Sequence, residues 1–295
     1  MNKGILYAAA AYGIWGFLPV LLKTLSSVPP FQITAHRAVW CFLFLLIIVV
    51  AGQGQLAALK AALTRRNLLV YTLTALLLSV NWLVFVWAVN AGFIVDSSLG
   101  YFINPLISVL LGMIFLRERL RPLQWLPVGL VAAGVIYLTF SHGGLPWIAL
   151  VLALTFGSYG LVKKIAPLEA LPGVAMETGI MSIAALAYLL FEEGLHTGAF
   201  GHAGLVTSLL LVGSGIASAV PLLLFTAGAR RAPLSVVGLL QYISPTLQFL
   251  CGVYLYGETF DHTRLVGFSI IWLALLVFTA ESLLVKRRTL ASAAA

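Results

Sequence analysis

Three ionisable residues lie well inside apolar stretches of this 295-residue sequence: His36 and Arg37 in one, Glu177 in another. A charged side chain in hydrocarbon costs on the order of several kcal/mol unless it is hydrated or paired, so chemistry is sought there first. His36 titrates near neutral pH and Glu177 is tunable by burial; together they could relay a proton. Arg37 adds a permanent positive charge for a charged solute. Two other readings stay open. The groups could form a structural ion pair, or reach back to a membrane interface from five to seven residues inside their helices.

A second set is polar and aromatic. Tyr12, Trp15 and Pro19 recur at i, i+3 and i+7; Asn81 and Trp82 are adjacent; Tyr101, Asn104 and Ser108 form another series, as do Gln241, Ser244 and Gln248. Each series falls on one helix face. Tyr159 aligns with Trp15 in a later stretch. Rings supply apolar contact and amides supply orientation, which suits a cavity for a small amphipathic molecule. The alternative is hydrogen-bonded glue between membrane helices, at about 0.6–2 kcal/mol per contact. Pro105 and Pro245 each withhold an N–H from the carbonyl one turn earlier, so they are candidates for hinges or fixed kinks. Glu118 and Glu258 end their stretches, where each is expected to favour the N-terminus of the helix that follows. Lys23, Glu192, Glu193, Asp261 and the remaining histidines read as solvated loop groups. No metal-ligand spacing, phosphate-binding Gly-x4-Gly-Lys motif or nucleophile elbow is present in the sequence. Neither a cofactor, a metal nor a catalytic set is expected.

The elements that must position these residues follow from composition. Hydrophobic residues make up 61% and charged residues 9%, against about 25% charged in a soluble domain. An all-α integral membrane protein is implied. Stretches of roughly 20 apolar residues occur at 4–23, 31–51, 68–90, 97–116, 121–140, 145–164, 172–191, 204–227, 234–256 and 265–285. The first resembles a signal peptide but has full spanning length, so it is read as a retained helix. Only Lys23, Arg264 and Arg37 of the 17 Lys and Arg fall outside the even-numbered loops and the two tails. The other 14 predict ten spans with both termini cytoplasmic. The +8 net charge therefore marks membrane orientation, not a nucleic-acid partner. Cys41 and Cys251 sit inside apolar stretches and imply no disulfide.

The sequence also repeats. Leu99-Gly100-Tyr101-Phe102-Ile103-Asn104-Pro105 returns as Leu239-Leu240-Gln241-Tyr242-Ile243-Ser244-Pro245, an offset of 140 that also holds for Phe85/Phe225, Gly112/Gly252 and Glu118/Glu258. A weaker match at 144 aligns residues 12–16 with 156–160. Five spans separate the copies, so the second unit would be inverted, as in many secondary transporters. Shared apolar composition is the other explanation.

Trp15-Gly16, the Pro-rich approach to Ala35-His36-Arg37, and the paired Asn-Pro and Ser-Pro spans that each end at a Glu resemble the EamA-type drug/metabolite transporter superfamily. Residues 240–248 with Gly257-Glu258 are similar to its RarD branch in particular. The resemblance implies ten transmembrane helices as two inverted five-helix repeats around a central cavity, in the bacterial inner membrane. The repeats would cover 1–141 and 145–286, with a short tail at 287–295. The expected function is secondary transport of a small organic metabolite or drug-like solute by alternating access, with protons coupled through His36 and Glu177. A lipid-acting membrane enzyme and a non-transporting sensor are the competing readings. The partners expected are the solute and the lipid bilayer; the oligomeric state is not legible.

Overall fold

The computed structural model describes residues 3–52, 54–117, 122–141, 145–229 and 240–294. Among them the chain is helical, with no strand. The helices are α1 (Lys3–Thr24), α2 (Pro30–Ala51), α3 (Gln55–Ala61), α4 (Arg65–Ala91), α5 (Ile94–Leu116), α6 (Trp125–Ser141), α7 (Trp147–Ile165), α8 (Ala170–Gly194), α9 (Leu205–Ala229), α10 (Ile243–Leu250) and α11 (His262–Ala294). A π-helical turn, Cys251–Leu255, continues α10. Seven of the described helices are long and apolar enough to cross a membrane; α6, α7 and α10 with its π turn are shorter apolar helices.

Local chemistry sets the ends. Pro30 starts α2, where a missing N–H costs nothing. Thr64 caps α4 by accepting from the Asn67 backbone N–H at 3.3 Å. Gly92 ends α4 at φ 84°, a conformation glycine adopts freely. The apolar stretches read from the sequence coincide with helices, with three differences. The short α3 lies in what reads as a loop. α11 stays helical to Ala294, past the expected end at 285. The ninth stretch starts among residues outside the described ones, and its described helix begins only at Ile243. Glu118 likewise lies outside the described residues.

The main packing pairs are α5 with α7, α1 with α9 and α10, α2 with α8 and α9, α4 with α7 and α8, α5 with α10, and α6 with α11. Backbones approach closely where glycine allows it. A Cβ on Gly100 of α5 would stand 2.7 Å from the Ala149 carbonyl oxygen of α7, and one on Gly16 of α1 would stand 2.7 Å from Leu247 of α10. Small residues are the usual means of such contact in membranes. Large apolar side chains such as Ile114, Phe140, Ile183 and Leu276 face outward, as a lipid-facing surface requires.

Candidate functional site

A cavity of ≈ 60 Å³ lies between the two halves of the chain. One water needs about 10–15 Å³ on this measure, so it holds a few waters. α1 supplies Tyr12 and Trp15, α4 Asn81 and Trp82, α2 Arg37, and α5 Tyr101. Gln241, Ser244 and Gln248 complete the polar wall from the second half, with Pro245 among them. Leu18, Leu78, Phe85, Phe156 and Leu222 fill the apolar wall, and the sequence reading misses them. Their signal is one of register, since Phe85 follows Asn81 by four and Leu18 follows Trp15 by three. Rings stack around the space. Tyr101 meets Phe85 and Phe156 edge-on at 5.7 and 5.9 Å, and Tyr12 and Trp15 lie 5.8 Å apart.

The cavity's amides are also structural ties. Asn81 Nδ2 donates to the Leu152 carbonyl at 3.1 Å and to Thr155 Oγ1 at 3.0 Å, while its Oδ1 accepts from Tyr101 Oη at 3.0 Å. Gln248 Nε2 donates to the Trp15 carbonyl at 3.2 Å and to Ser244 Oγ at 3.1 Å. These amides therefore line the cavity and tie helices together at once.

Arg37 is 2% exposed. Its Nε donates to Ser218 Oγ at 3.2 Å, and its guanidinium carbon stands 4.4 Å from the Trp82 ring centroid. Its Nη1 is buried with no hydrogen-bond partner.

The two prolines act differently. α5 runs unbroken through Pro105. Pro245 instead falls in the first turn of α10, and Gln241–Tyr242 form a turn just before it. Pro245 has no N–H for the Gln241 carbonyl, so the helical ladder breaks where Gln241 meets the cavity.

The remaining candidates lie elsewhere, and the expected approach of His36 to Glu177 is not found. The fully buried Glu177 carboxylate accepts from Tyr159 Oη at 2.8 Å and pairs with Lys163 Nζ at 3.1 Å. His36 stacks on Phe200, beyond the far end of α8, at 5.3 Å between ring centroids. Phe42 of α2 lies against Gly179, two residues past Glu177, and His36 is six residues before Phe42, about 9 Å along the helix at 1.5 Å per residue. The reason is that α2 and α8 run antiparallel, Phe31 meeting Tyr188 and Phe42 meeting Gly179, so the early part of α2 faces the late part of α8 and not its start. Lys163 reads as a loop charge in the sequence, yet it supplies the Glu177 counter-ion and stands 5.4 Å from the Tyr71 ring centroid. Asn104 is buried on α5, its Oδ1 without a partner, near Gly157 of α7.

Several loop groups expected to be solvated instead tie one end of the bundle. Lys23 donates to the Val89 and Asn90 carbonyls at the end of α4, at 3.1 and 3.4 Å. Glu258 accepts from the backbone N–H groups of Ile94 and Val95, both at 2.8 Å. It thus caps α5 in the other half and not the following helix; α11 has Asp261 for that, bonded by the Arg264 N–H at 2.8 Å. Burial holds the Glu258 carboxyl above the ordinary glutamate range, against the pull of those two N–H donors and Arg264. Arg264 pairs with Asp96 at 3.3 Å. Gln32, which no sequence pattern marks, donates to Glu192 and to the Thr197 carbonyl and accepts from the Ala199 N–H, each at 2.9 Å.

The profile of the EamA-like transporter family matches residues 2–140 and, a second time, residues 144–280. The chain belongs to the EamA-like transporter family. It is 43% identical over 292 residues to the uncharacterized transporter YojE of Bacillus subtilis (strain 168), covering 97% of this chain and 96% of that protein. It is 42% identical over 289 residues to protein RarD of Escherichia coli (strain K12), covering 98% and 97%. A chloramphenicol-sensitive protein RarD of Pseudomonas aeruginosa is 34% identical over 97% of each chain. One solved crystal structure superposes with a TM-score of 0.60 at 20% identity, over 95% of this chain and 98% of that one, and so supports the fold. The likeness to the RarD branch carried by residues 35–37 and 240–248 is borne out by these relatives. Family membership and the long apolar helices make the chain a multi-pass membrane transporter.

Proposed function

We propose that this chain is a secondary transporter carrying a small organic solute across the bacterial inner membrane by alternating access. In this reading it has ten spans in two inverted repeats, residues 1–141 and 145–286, with both termini cytoplasmic. The cavity carries the proposal. Tyr101 and Gln241, 140 residues apart, line it from opposite halves, each at the carbonyl that a proline deprives of its helical donor. The packing supports a two-fold relation. Exchanging α1, α2, α4 and α5 with α7, α8, α9 and α10 turns the α1–α9 contact into α7–α4, α2–α9 into α8–α4, and α5–α7 into α10–α1. Each of the exchanged pairs α1–α10 and α7–α5 also holds a close glycine approach: Gly16 meets Leu247, and Gly157 meets Ile107.

Glu177, held by Tyr159 and Lys163, is the coupling group in this reading, and His36 is not. Pro245 serves as the hinge, at the break beside the cavity. The test is counterflow. Proteoliposomes preloaded with members of a metabolite panel are expected to take up the matching labelled solute faster than empty vesicles. Tyr101→Ala and Gln241→Ala are expected to abolish that excess while remaining monodisperse. Equal uptake with and without protein across the panel overturns the proposal.

A further inference from the structure

Resting on the transport reading, we infer that the solute is a small organic anion, a carboxylate or phosphate ester with an apolar ring, whose charged head docks on Arg37. Arginine keeps its charge in proteins, and a buried unpaired charge costs several kcal/mol as an order of magnitude. Arg37 is buried, yet no carboxylate pairs with it among the described residues. Three acids of the described helices and loops are engaged with other groups: Glu177 with Lys163, Asp96 with Arg264, and Glu258 with two backbone N–H groups.

Arg37 lines the cavity, where a solute would meet it. Ser218 takes Nε and the Trp82 ring covers one face, which fixes the guanidinium plane. Nη1 is left buried without a partner, and the side chain forms part of the cavity wall. A planar fork held this way matches the two oxygens of a carboxylate or phosphate. The rest of the wall is aromatic and aliphatic, with Trp15, Phe85 and Phe156 prominent. An ammonium ligand would meet repulsion at Arg37, and a neutral one would leave its charge uncompensated. The competing account makes Arg37 a clamp between α2, α4 and α9 that meets no solute.

The test uses the full-length protein in detergent at pH 7 and six probes: phenylacetate, phenylphosphate, phenylacetamide, phenethylamine, acetate and inorganic phosphate. Binding is read by calorimetry and by the shift in melting temperature. At least one ring-bearing anion is expected to bind tenfold or more tighter than the amide and the amine. The two ringless anions are expected to bind more weakly than their ring-bearing counterparts, and the better of the two heads names the chemistry. Arg37→Gln is expected to remove the preference for anions, Arg37→Lys to retain part of it, and Ser218→Ala to keep it. Equal binding of acid and amide, an anion preference that survives Arg37→Gln, or binding of none of the six probes overturns the proposal. The ranking on the unmodified protein decides even if the Arg37 variants fail to fold. The two readings fail separately. Counterflow of neutral solutes alone would keep transport and sink the anion site, whereas anion binding without any counterflow would do the reverse.

Discussion

At the scale of single residues, Glu177 and Lys163 show how burial dictates partnership. The Glu177 side chain is fully buried and that of Lys163 is 23% exposed, so the two losses are unequal. Removing one partner of a fully buried pair costs about 3–5 kcal/mol. Lys163→Met leaves the deeply buried acid without its cation and is expected to cost near the lower end, because water reaches Lys163. Glu177→Gln keeps an acceptor for Tyr159 and frees a lysine that can reach solvent, so its melting temperature should fall less. If Glu177 couples transport to protons, Glu177→Gln flattens the pH dependence of solute exchange. His36→Ala, which loses only a ring contact with Phe200, leaves that dependence in place. The reverse pattern in the two pH profiles removes the coupling role from Glu177. Glu177 was legible in the sequence because a carboxylate inside an apolar stretch stands out, while its role stayed open between proton relay, ion pair and interface contact. Lys163 was not, because a lysine near a helix end also satisfies the charge rule for cytoplasmic loops. Arg37 was legible as a charge, but that no carboxylate among the described residues pairs with it is a property of space and not of spacing.

Elements meet through residues that carry no chemistry. Gly100 lets α5 lie against the α7 backbone, where an added Cβ would also stand 3.0 Å from the Ala149 Cα. Backbone atoms cannot swing aside, so Gly100→Val must part the helices. The expected cost is about 1–3 kcal/mol, as for other overpacked sites, read as a lower melting temperature in detergent. A Cβ added to Gly13 on α1 would meet nothing within 4 Å, so Gly13→Ala should leave the melting temperature unchanged or slightly higher. A loss at Gly13 equal to that at Gly100 would mean that helix contact is not what Gly100 serves. Helix positions were read well from the sequence, because long apolar runs bounded by Pro29-Pro30 or Gly92 leave few options. Helix partners were not. An all-round apolar helix has no stripe that names its neighbour, and the tie from Glu258 to α5 joins residues 164 apart. The break before Pro245 was half legible: proline predicts the lost bond in both repeats, yet α5 absorbs it and the chain at Gln241–Tyr242 does not.

On the scale of the whole molecule, the polar ties collect at one end. Lys23, Gln32, Glu258 and Arg264 all join segments at the C-terminal ends of α1, α4 and α8 or the N-terminal ends of α2, α5, α9 and α11. With a cytoplasmic N-terminus, that end faces outward. If the chain works by the proposed alternating access, such an end is closed in one state and open in the other, and these ties would favour the closed one. A hydrogen bond to a charged group contributes about 1.5–3 kcal/mol, and each 1.4 kcal/mol lost shifts a two-state population about tenfold. Cavity exposure from outside therefore reports on the ties. The measurement takes a Cys41→Ala, Cys251→Ala background with Leu18→Cys as the cavity probe, labelled in intact cells by a membrane-impermeant thiol reagent. Labelling should be slow in this parent and about tenfold or more faster once Glu258→Ala releases the Ile94 and Val95 N–H groups. Arg264→Ala, which breaks a partly exposed pair, should give a smaller increase in the same direction. Both variants must reach the membrane in parental amounts for the rates to be compared. Unchanged labelling in Glu258→Ala would reduce these contacts to helix caps and leave the outward gate elsewhere. Fast labelling already in the parent would place the tied end in the cytoplasm and reverse the orientation drawn from the 14 inward lysines and arginines.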